Sequence, residues 1–304
     1  MSRRYASYAA LATGVLAFST SGVVAKLCSE PAITIAFWVR AFSLGYLIAA
    51  FVAQRHRRRR ALLTSAWRHG GAAGVVFAVH ILLYFWALKL TSVTVVFLLG
   101  ALNPAVVGIF GWLFLNERPT RQQALWIAVA IGATVAVVVG RDVTGESRLF
   151  GNLIALGSAL AYCGYFLVAR HARRSLGTTE FLVITTLVSM IAAGAVALVG
   201  GVSLRIGAGN DLWMIAFLGL VPGTIGHLTV NWALRHVEAH AASTVLLAVP
   251  LFASLWAHVA IGERVALGQI VAGAIVLLAI PGAARRPEVP PVYEALPAPI
   301  SSTR

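Results

Sequence analysis

Between Tyr8 and Pro281 the chain runs through ten apolar stretches, at roughly 7–27, 31–53, 70–89, 92–115, 121–140, 149–169, 179–200, 211–233, 239–261 and 265–284. Each is near the ~20 residues that a helix needs to cross the hydrocarbon core of a bilayer. The connectors between them are short. Inside lipid every backbone N–H and C=O must be bonded within the protein, which leaves helices or closed barrels as spanning structures. Stretches of this length read as helices. The expected fold class is therefore an all-α membrane protein of about ten transmembrane helices. Composition agrees: 59% of residues are hydrophobic and 11% charged, against about 25% charged in soluble domains.

The formal net charge of +14 raises the question of nucleic acid, but the basic residues sit in the connectors. With a cytoplasmic N-terminus, 17 of the 24 Lys and Arg residues fall on the inner side and six on the outer. Arg40 remains, inside the second stretch. Positive residues resist translocation, so this asymmetry places both termini in the cytoplasm. The run Gln54-Arg55-His56-Arg57-Arg58-Arg59-Arg60 is the strongest single anchor, and it suits anionic lipid rather than nucleic acid. Ser2-Arg3-Arg4 before an apolar run resembles a secretory signal, but 8–28 is long for one and has a counterpart later in the chain. Cys28 and Cys163 make no disulfide framework and no metal spacing. The tail 285–304 holds five prolines and no apolar period, and reads as a disordered cytoplasmic end.

The chain repeats itself. Trp86-Ala87-Leu88-Lys89 matches Trp232-Ala233-Leu234-Arg235 at an offset of 146, and in the same register Pro104 falls on Pro250, Glu117-Arg118 on Glu263-Arg264 and Gln123 on Gln269. At an offset of 144, Ala17, Ala25 and Lys26 fall on Ala161, Ala169 and Arg170. The halves are taken as 7–140 and 149–284, with five stretches each. An odd number of crossings forces the second copy into the membrane upside down. Inverted repeats of this kind recur in transporters, with the solute site where the halves meet near the midplane.

These residues resemble the drug/metabolite transporter superfamily, in particular the EamA-like transporters with two five-helix repeats. The resemblance covers about 7–284 and rests on Tyr84-Phe85-Trp86-Ala87-Leu88-Lys89 leading through Asn103-Pro104 to Glu117-Arg118, on Asn231-Trp232-Ala233-Leu234 leading through Pro250 to Gly262-Glu263-Arg264, and on Lys26 closing the first stretch. It implies an exporter or exchanger of amino acids, other metabolites or drug-like compounds in a plasma membrane, the bacterial inner membrane in particular. It also implies a central cavity lined mainly by the first, third, fourth, sixth, eighth and ninth stretches. A small-molecule solute and the lipid bilayer are then the partners; the protein is a monomer or homodimer, with no cofactor, no metal and no nucleic acid.

Arg40 is the most costly residue for a membrane to accept, at ~2.5–3.5 kcal/mol on insertion scales, so it is expected to face the bundle interior. There it either attracts an anionic group or bonds helix carbonyls as a packing post. His80 and Tyr84, with Ala73 and Phe77 on the same stripe, share one helix face by their spacing. His227 and Asn231 repeat that spacing, with Gly223 on their face. Tyr162 and Tyr165 with Ser158 mark one face of the sixth stretch, Asn103 precedes the proline of the fourth, and Phe18 and Ser21 lie in the first. Arg40, His80, Tyr84, Asn103, Tyr162, Tyr165, His227 and Asn231 are the substrate-pathway candidates, each with the plainer alternative of packing or joining helices. Pro104 and Pro250 are expected to kink their helices as hinges. Glu117 and Glu263 are expected to sit on the positive N-terminal end of the following helix, a structural role.

All ten acids fall at stretch ends, in connectors or in the tail. No carboxylate stands in mid-membrane to carry protons or hold sodium, which argues against coupling through a buried acid. Exchange, facilitated diffusion and a histidine route remain. An intramembrane enzyme would need clustered acids or a nucleophile beside a base, and the sequence holds no such cluster, no phosphate loop and no His-Glu-x-x-His. The chain is read as no enzyme. The alternative to a transporter is a membrane scaffold that binds lipid or a partner and moves no solute.

Overall fold

Apolar side chains of good helix-forming residues run on for twenty or more positions, and breakers fall between them; the helices follow from that. The computed structural model describes residues 3–55, 64–102, 106, 120–140, 148–172, 177–207, 209–233 and 245–284. Among these the helices are α1 (Arg3–Leu27), α2 (Ala32–Arg55), α3 (Thr64–Leu90), α4 (Val93–Gly100), α5 (Arg121–Val139), α6 (Leu149–Ala172), α7 (Thr178–Val199), α8 (Asp211–Ala233), α9 (Ala248–Ile261) and α10 (Leu267–Ala284). No strand occurs among the described residues. Five helices, α1, α2, α3, α7 and α8, are long and apolar enough to cross a bilayer by themselves. The described parts of α5, α6, α9 and α10 carry shorter apolar segments. This is an all-α membrane protein.

Helix α3 begins at Thr64, earlier than the stretch 70–89 predicts, because 64–69 hold no breaker and extend the helix by a polar turn. The stretches 92–115 and 239–261 are described only in part, as α4 and α9. Asn103, Pro104, Glu117, the basic loop 56–60 and the tail 285–304 lie outside the described residues.

The helices alternate in direction, and polar bonds gather their alternate ends at one pole. Lys26 at the end of α1 reaches Glu263 after α9. Thr34 at the start of α2 donates to the Ser203 carbonyl after α7, and Trp38 to Leu204. Thr91 before α4 bonds Asn152 of α6, whose amide donates to the Val138 carbonyl at the end of α5. The backbone N–H of Ser29 donates to Asp211 at the start of α8. Helix α1 therefore ends where α6 begins, so corresponding members of the two halves run antiparallel. The packing obeys the same relation. Helix α3 packs on α6 as α8 packs on α1, α2 on α8 as α7 on α3, and α1 on α9 as α6 on α4, while α2–α7, α4–α9 and α5–α10 pair each helix with its own counterpart. Exchanging the halves maps this set onto itself. The molecule is two five-helix repeats of inverted topology.

The outward faces confirm the solvent. Leu125, Ile131, Val135 and Val139 of α5, and Leu267, Ile270, Val271 and Leu278 of α10, are exposed. Contiguous exposed aliphatic faces of this kind are rare on soluble monomers and expected against lipid.

One irregularity interrupts α8. Residues Val221–Gly226 form a π-turn with Pro222 at its start. Pro222 has no N–H to give to the preceding turn, and the register widens by one residue. The Gly219 carbonyl near this bulge accepts from Ser43 Oγ at 2.9 Å and Thr224 Oγ1 at 2.8 Å, which meets the requirement that freed backbone groups in a membrane be satisfied locally. The sequence points to Pro104 and Pro250 as the helix-disturbing prolines and passes over Pro222. Pro250 stands in the first turn of α9, just after a turn at Leu247, where a missing N–H costs little.

Candidate functional site

The stripe of α3 supplies the centre. Phe77, His80 and Tyr84 follow at three and four residues, so one face of the helix carries all three rings. Phe77 is the hub. Its ring centroid lies 4.8 Å from Tyr165, 5.3 Å from His80, 5.7 Å from His227 and 6.4 Å from Tyr162. His80 lies 4.6 Å from Tyr162, which stacks on Tyr165 at 5.8 Å. His227 is edge-on to Phe18 at 5.0 Å. Rings from α1, α3, α6 and α8 thus meet at the junction of the two repeats, mostly in the edge-on and tilted geometries that aromatic quadrupoles favour.

The polar atoms among these rings are tied into short chains. Ser21 Oγ donates to the Phe18 carbonyl at 2.7 Å, so the Tyr84 hydroxyl, 2.7 Å from Ser21 Oγ, is the donor in that contact. His80 Nδ1 lies 3.0 Å from both the carbonyl and the hydroxyl of Ser158, and Ser158 Oγ reaches the His80 carbonyl at 3.2 Å. The self-consistent proton placement has the Ser158 hydroxyl donating to the His80 carbonyl and Nδ1–H to the Ser158 carbonyl. In the neutral ring that leaves Nε2 as the acceptor.

Arg40 closes the cluster from α2. It is 3% exposed, and its guanidinium carbon lies 5.0 Å from the Phe77 centroid. Its Nε is buried with no hydrogen-bond partner among the described residues. A methyl group added to Gly223, in the π-turn, would come within 3.3 Å of Nη2 and 2.3 Å of Ser43 Oγ. Glycine therefore permits the guanidinium to lie against the backbone of α8.

The structure thus brings together six of the eight pathway candidates: Arg40, His80, Tyr84, Tyr162, Tyr165 and His227. Asn231 donates from Nδ2 to the His227 carbonyl one turn back at 2.7 Å. Asn103 lies outside the described residues. Phe77 stood in the sequence only as a member of a stripe. Its four ring neighbours come from residues up to 150 positions away, so no local pattern marks it as the hub.

Glu263 departs from expectation. Its carboxylate accepts from the backbone N–H of Val93 at 3.0 Å and of Thr94 at 3.1 Å, from Thr94 Oγ1 at 3.1 Å, and from Lys26 Nζ at 3.3 Å. It caps α4 of the other repeat rather than α10, the helix that follows it. Gly262 adopts a left-handed conformation (φ 65°), which turns the chain sharply after α9. A negative group at this helix N-terminus satisfies orphan donors and the helix dipole together.

A cleft of about 670 Å³ lies between α5 and α10, lined by Val129, Gly132, Ala136, Gly268 and Ala272 among others, and by none of the central rings. Among the described residues no group of three His, Cys, Asp or Glu is placed to hold a metal ion.

The model of the EamA-like transporter family matches residues 6–139 and again 149–283. The chain is 25% identical over 272 residues to the uncharacterized transporter YwfM of Bacillus subtilis, covering 86% of this chain and 88% of that protein. It is 36% identical over 95 residues, 31% of each chain, to a probable terminal-alkyne amino-acid exporter of Streptantibioticus cattleyicolor. A solved crystal structure superposes with a TM-score of 0.65 over 92% of this chain and 99% of its own, at 19% identity, which speaks to the fold alone.

Proposed function

The chain belongs to the EamA-like transporter family, and from that premise we propose that it exports or exchanges small amino-acid-like or drug-like metabolites by alternating access between its two repeats. The observation that carries this reading is the aromatic and cationic cluster of Arg40, Phe77, His80, Tyr162, Tyr165 and His227, buried where the repeats meet. Phe77 meets Tyr162, Tyr165 and His227, and His80 meets Tyr162, across the two halves, so a rocking motion of one half against the other opens or closes these contacts. Two inverted copies supply two near-equivalent packings, one facing each side. The Streptantibioticus relative named a probable amino-acid exporter supports the amino-acid-like class. The excess of Arg in the segments read as inner supports a plasma-membrane protein with both termini in the cytoplasm.

The test is a resistance and accumulation screen on cells lacking or overproducing the protein, across amino acids, their analogues and ring-bearing metabolites. The expected result is lowered accumulation of at least one such class on overproduction, reproduced by purified protein in vesicles. If no class changes in either setting, the proposal fails.

A further inference from the structure

Resting on that transport reading, we infer that Arg40 anchors the carboxylate of the transported molecule, and that the rings around it hold a flat or apolar body. A buried guanidinium is ordinarily satisfied by a protein carboxylate or by carbonyl oxygens. Neither is found here among the described residues. Glu263 is engaged with Lys26 and α4, Glu30 with the N–H of Gly207, Asp211 with the N–H of Ser29, and Glu180 with the N–H of Gly177. Nε is buried and unbonded, and the guanidinium makes no hydrogen bond to a described residue. A packing post would be bonded to helix carbonyls; among the described residues Arg40 is bonded to none.

The face of the guanidinium rests on Phe77. Its edge carries planar N–H donors in the spacing that a carboxylate accepts as a pair. The π-turn of α8 lies alongside, with glycine at 223 where any side chain would press on Nη2. Such turns inside helices are found frequently at functional sites. The rings packed around Phe77 are those of Tyr162, Tyr165 and His227, and such rings suit an apolar or aromatic body once they part. The same chemistry excludes. A cargo that carries an ammonium and no carboxylate meets a like charge, with no described acid nearby to offset it. A zwitterion brings its own counter-charge to Arg40, and its ammonium can face the tyrosine rings. A further consequence concerns coupling. Closing the site empty keeps an uncompensated cation in low dielectric, whereas closing it loaded buries a neutral pair. Return of the carrier loaded is then faster than return empty, which makes it an exchanger.

The experiment uses full-length protein in detergent and in vesicles, with three probes of one body: 3-phenylpropionate (carboxylate only), phenylalanine (both groups) and phenethylamine (ammonium only). Binding is read as protection against thermal unfolding over a concentration series. The first two are expected to protect and the amine not to. Arg40→Gln is expected to weaken the carboxylates by about tenfold or more, and Arg40→Lys to recover part of the loss, since it keeps the charge without the planar fork. Protection by the amine equal to that of the acids overturns the assignment, as does failure of all three to protect. Should the Arg40 variants not fold, the wild-type ranking of the three probes decides alone. In vesicles preloaded with unlabelled phenylalanine, labelled phenylalanine is expected to enter faster than into empty ones, and equal rates overturn the exchange step. Transport of other solutes without this ranking would sink the anchor and leave the carrier standing; binding with the ranking but no transport would do the reverse.

Discussion

Replacing Glu263 by Gln removes a charge from a site whose geometry allows the loss to be apportioned. The carboxylate receives two backbone N–H groups and one hydroxyl from the first turn of α4, and an ammonium at 3.3 Å. Its side chain is 10% exposed and that of Lys26 23%. A hydrogen bond to a charged group contributes roughly 1.5–3 kcal/mol, and about half of that survives when the acceptor becomes a neutral amide. The helix-end field adds about 0.5–1 kcal/mol. The partly exposed ion pair adds no more than about 1 kcal/mol. Gln keeps one acceptor oxygen but brings two donors toward donors, so one of the N–H groups loses its partner. The expected cost is about 2–4 kcal/mol for Glu263→Gln, against about 1 kcal/mol or less for Lys26→Met. Both are measured by unfolding of the purified protein in mixed micelles, with the double variant closing a cycle. The cycle is expected to give a coupling near the cost of Lys26→Met alone. If Lys26→Met costs as much as Glu263→Gln, the ion pair and not the α4 cap holds the carboxylate, and the reasoning is refuted.

Three more expectations follow from separate parts of the molecule. His80→Ala is expected to lower transport at unchanged expression, because it removes a ring that packs on Phe77 and Tyr162 in the cluster; unchanged transport would exclude this histidine from the pathway. At Gly219 an added methyl would lie 2.6 Å from Phe42 Cβ and 3.2 Å from the Ser43 nitrogen and the Val39 carbonyl, whereas at Gly45 it would meet nothing within 4 Å. Gly219→Ala should therefore destabilise by about 1–3 kcal/mol and Gly45→Ala should be neutral or stabilising by up to about 1 kcal/mol, and equal unfolding midpoints would contradict the close α2–α8 approach. Cys28 is buried, and loss of hydration pushes its thiol up to about 11, so it stays protonated at neutral pH and its thiolate fraction grows only as pH rises toward that value. Maleimide labelling at pH 7.5 is expected to be slow in the native protein and fast after unfolding; rapid native labelling would show that the Lys26 pole is open.

Much of the architecture was legible because its cause is local. Ten apolar stretches dictate helices wherever they fall, and the odd number per repeat dictates inversion, which the antiparallel setting of α1 and α6 bears out. Spacing within α3 and α6 told which residues share a face, and those faces do meet. What sequence did not give is cross-chain geometry. Glu263 precedes α10 and by adjacency belongs to it, yet the turn at Gly262 delivers it to α4. Asn231 shares a face with His227, and its amide is taken up by the carbonyl one turn back. Pro222 carried no expectation in the sequence; at its π-turn the Gly219 carbonyl accepts from Thr224 close by and from Ser43 of α2, a partner 176 residues away in the chain.

The repeat turns the Lys26–Glu263 contact into a statement about the opposite pole. At the offsets that align the halves, Lys26 corresponds to Arg170 and Glu263 to Glu117. The pair that joins the halves at one end thus has a charge-matched counterpart assigned by sequence to the other, where Glu117 lies outside the described residues. If each pair favours closure of its own end, weakening one shifts the balance between the two orientations, and weakening the other shifts it back. A shift of about 1 kcal/mol changes the ratio of the two states about fivefold. Single cysteines placed near each pole report that ratio by their labelling rates. Lys26→Met is expected to speed labelling at the Glu263 pole and slow it at the Glu117 pole, and Arg170→Met to do the opposite. Shifts in the same direction would mean that the two pairs merely hold the bundle together, and the symmetry of the halves would then carry no information about how they move.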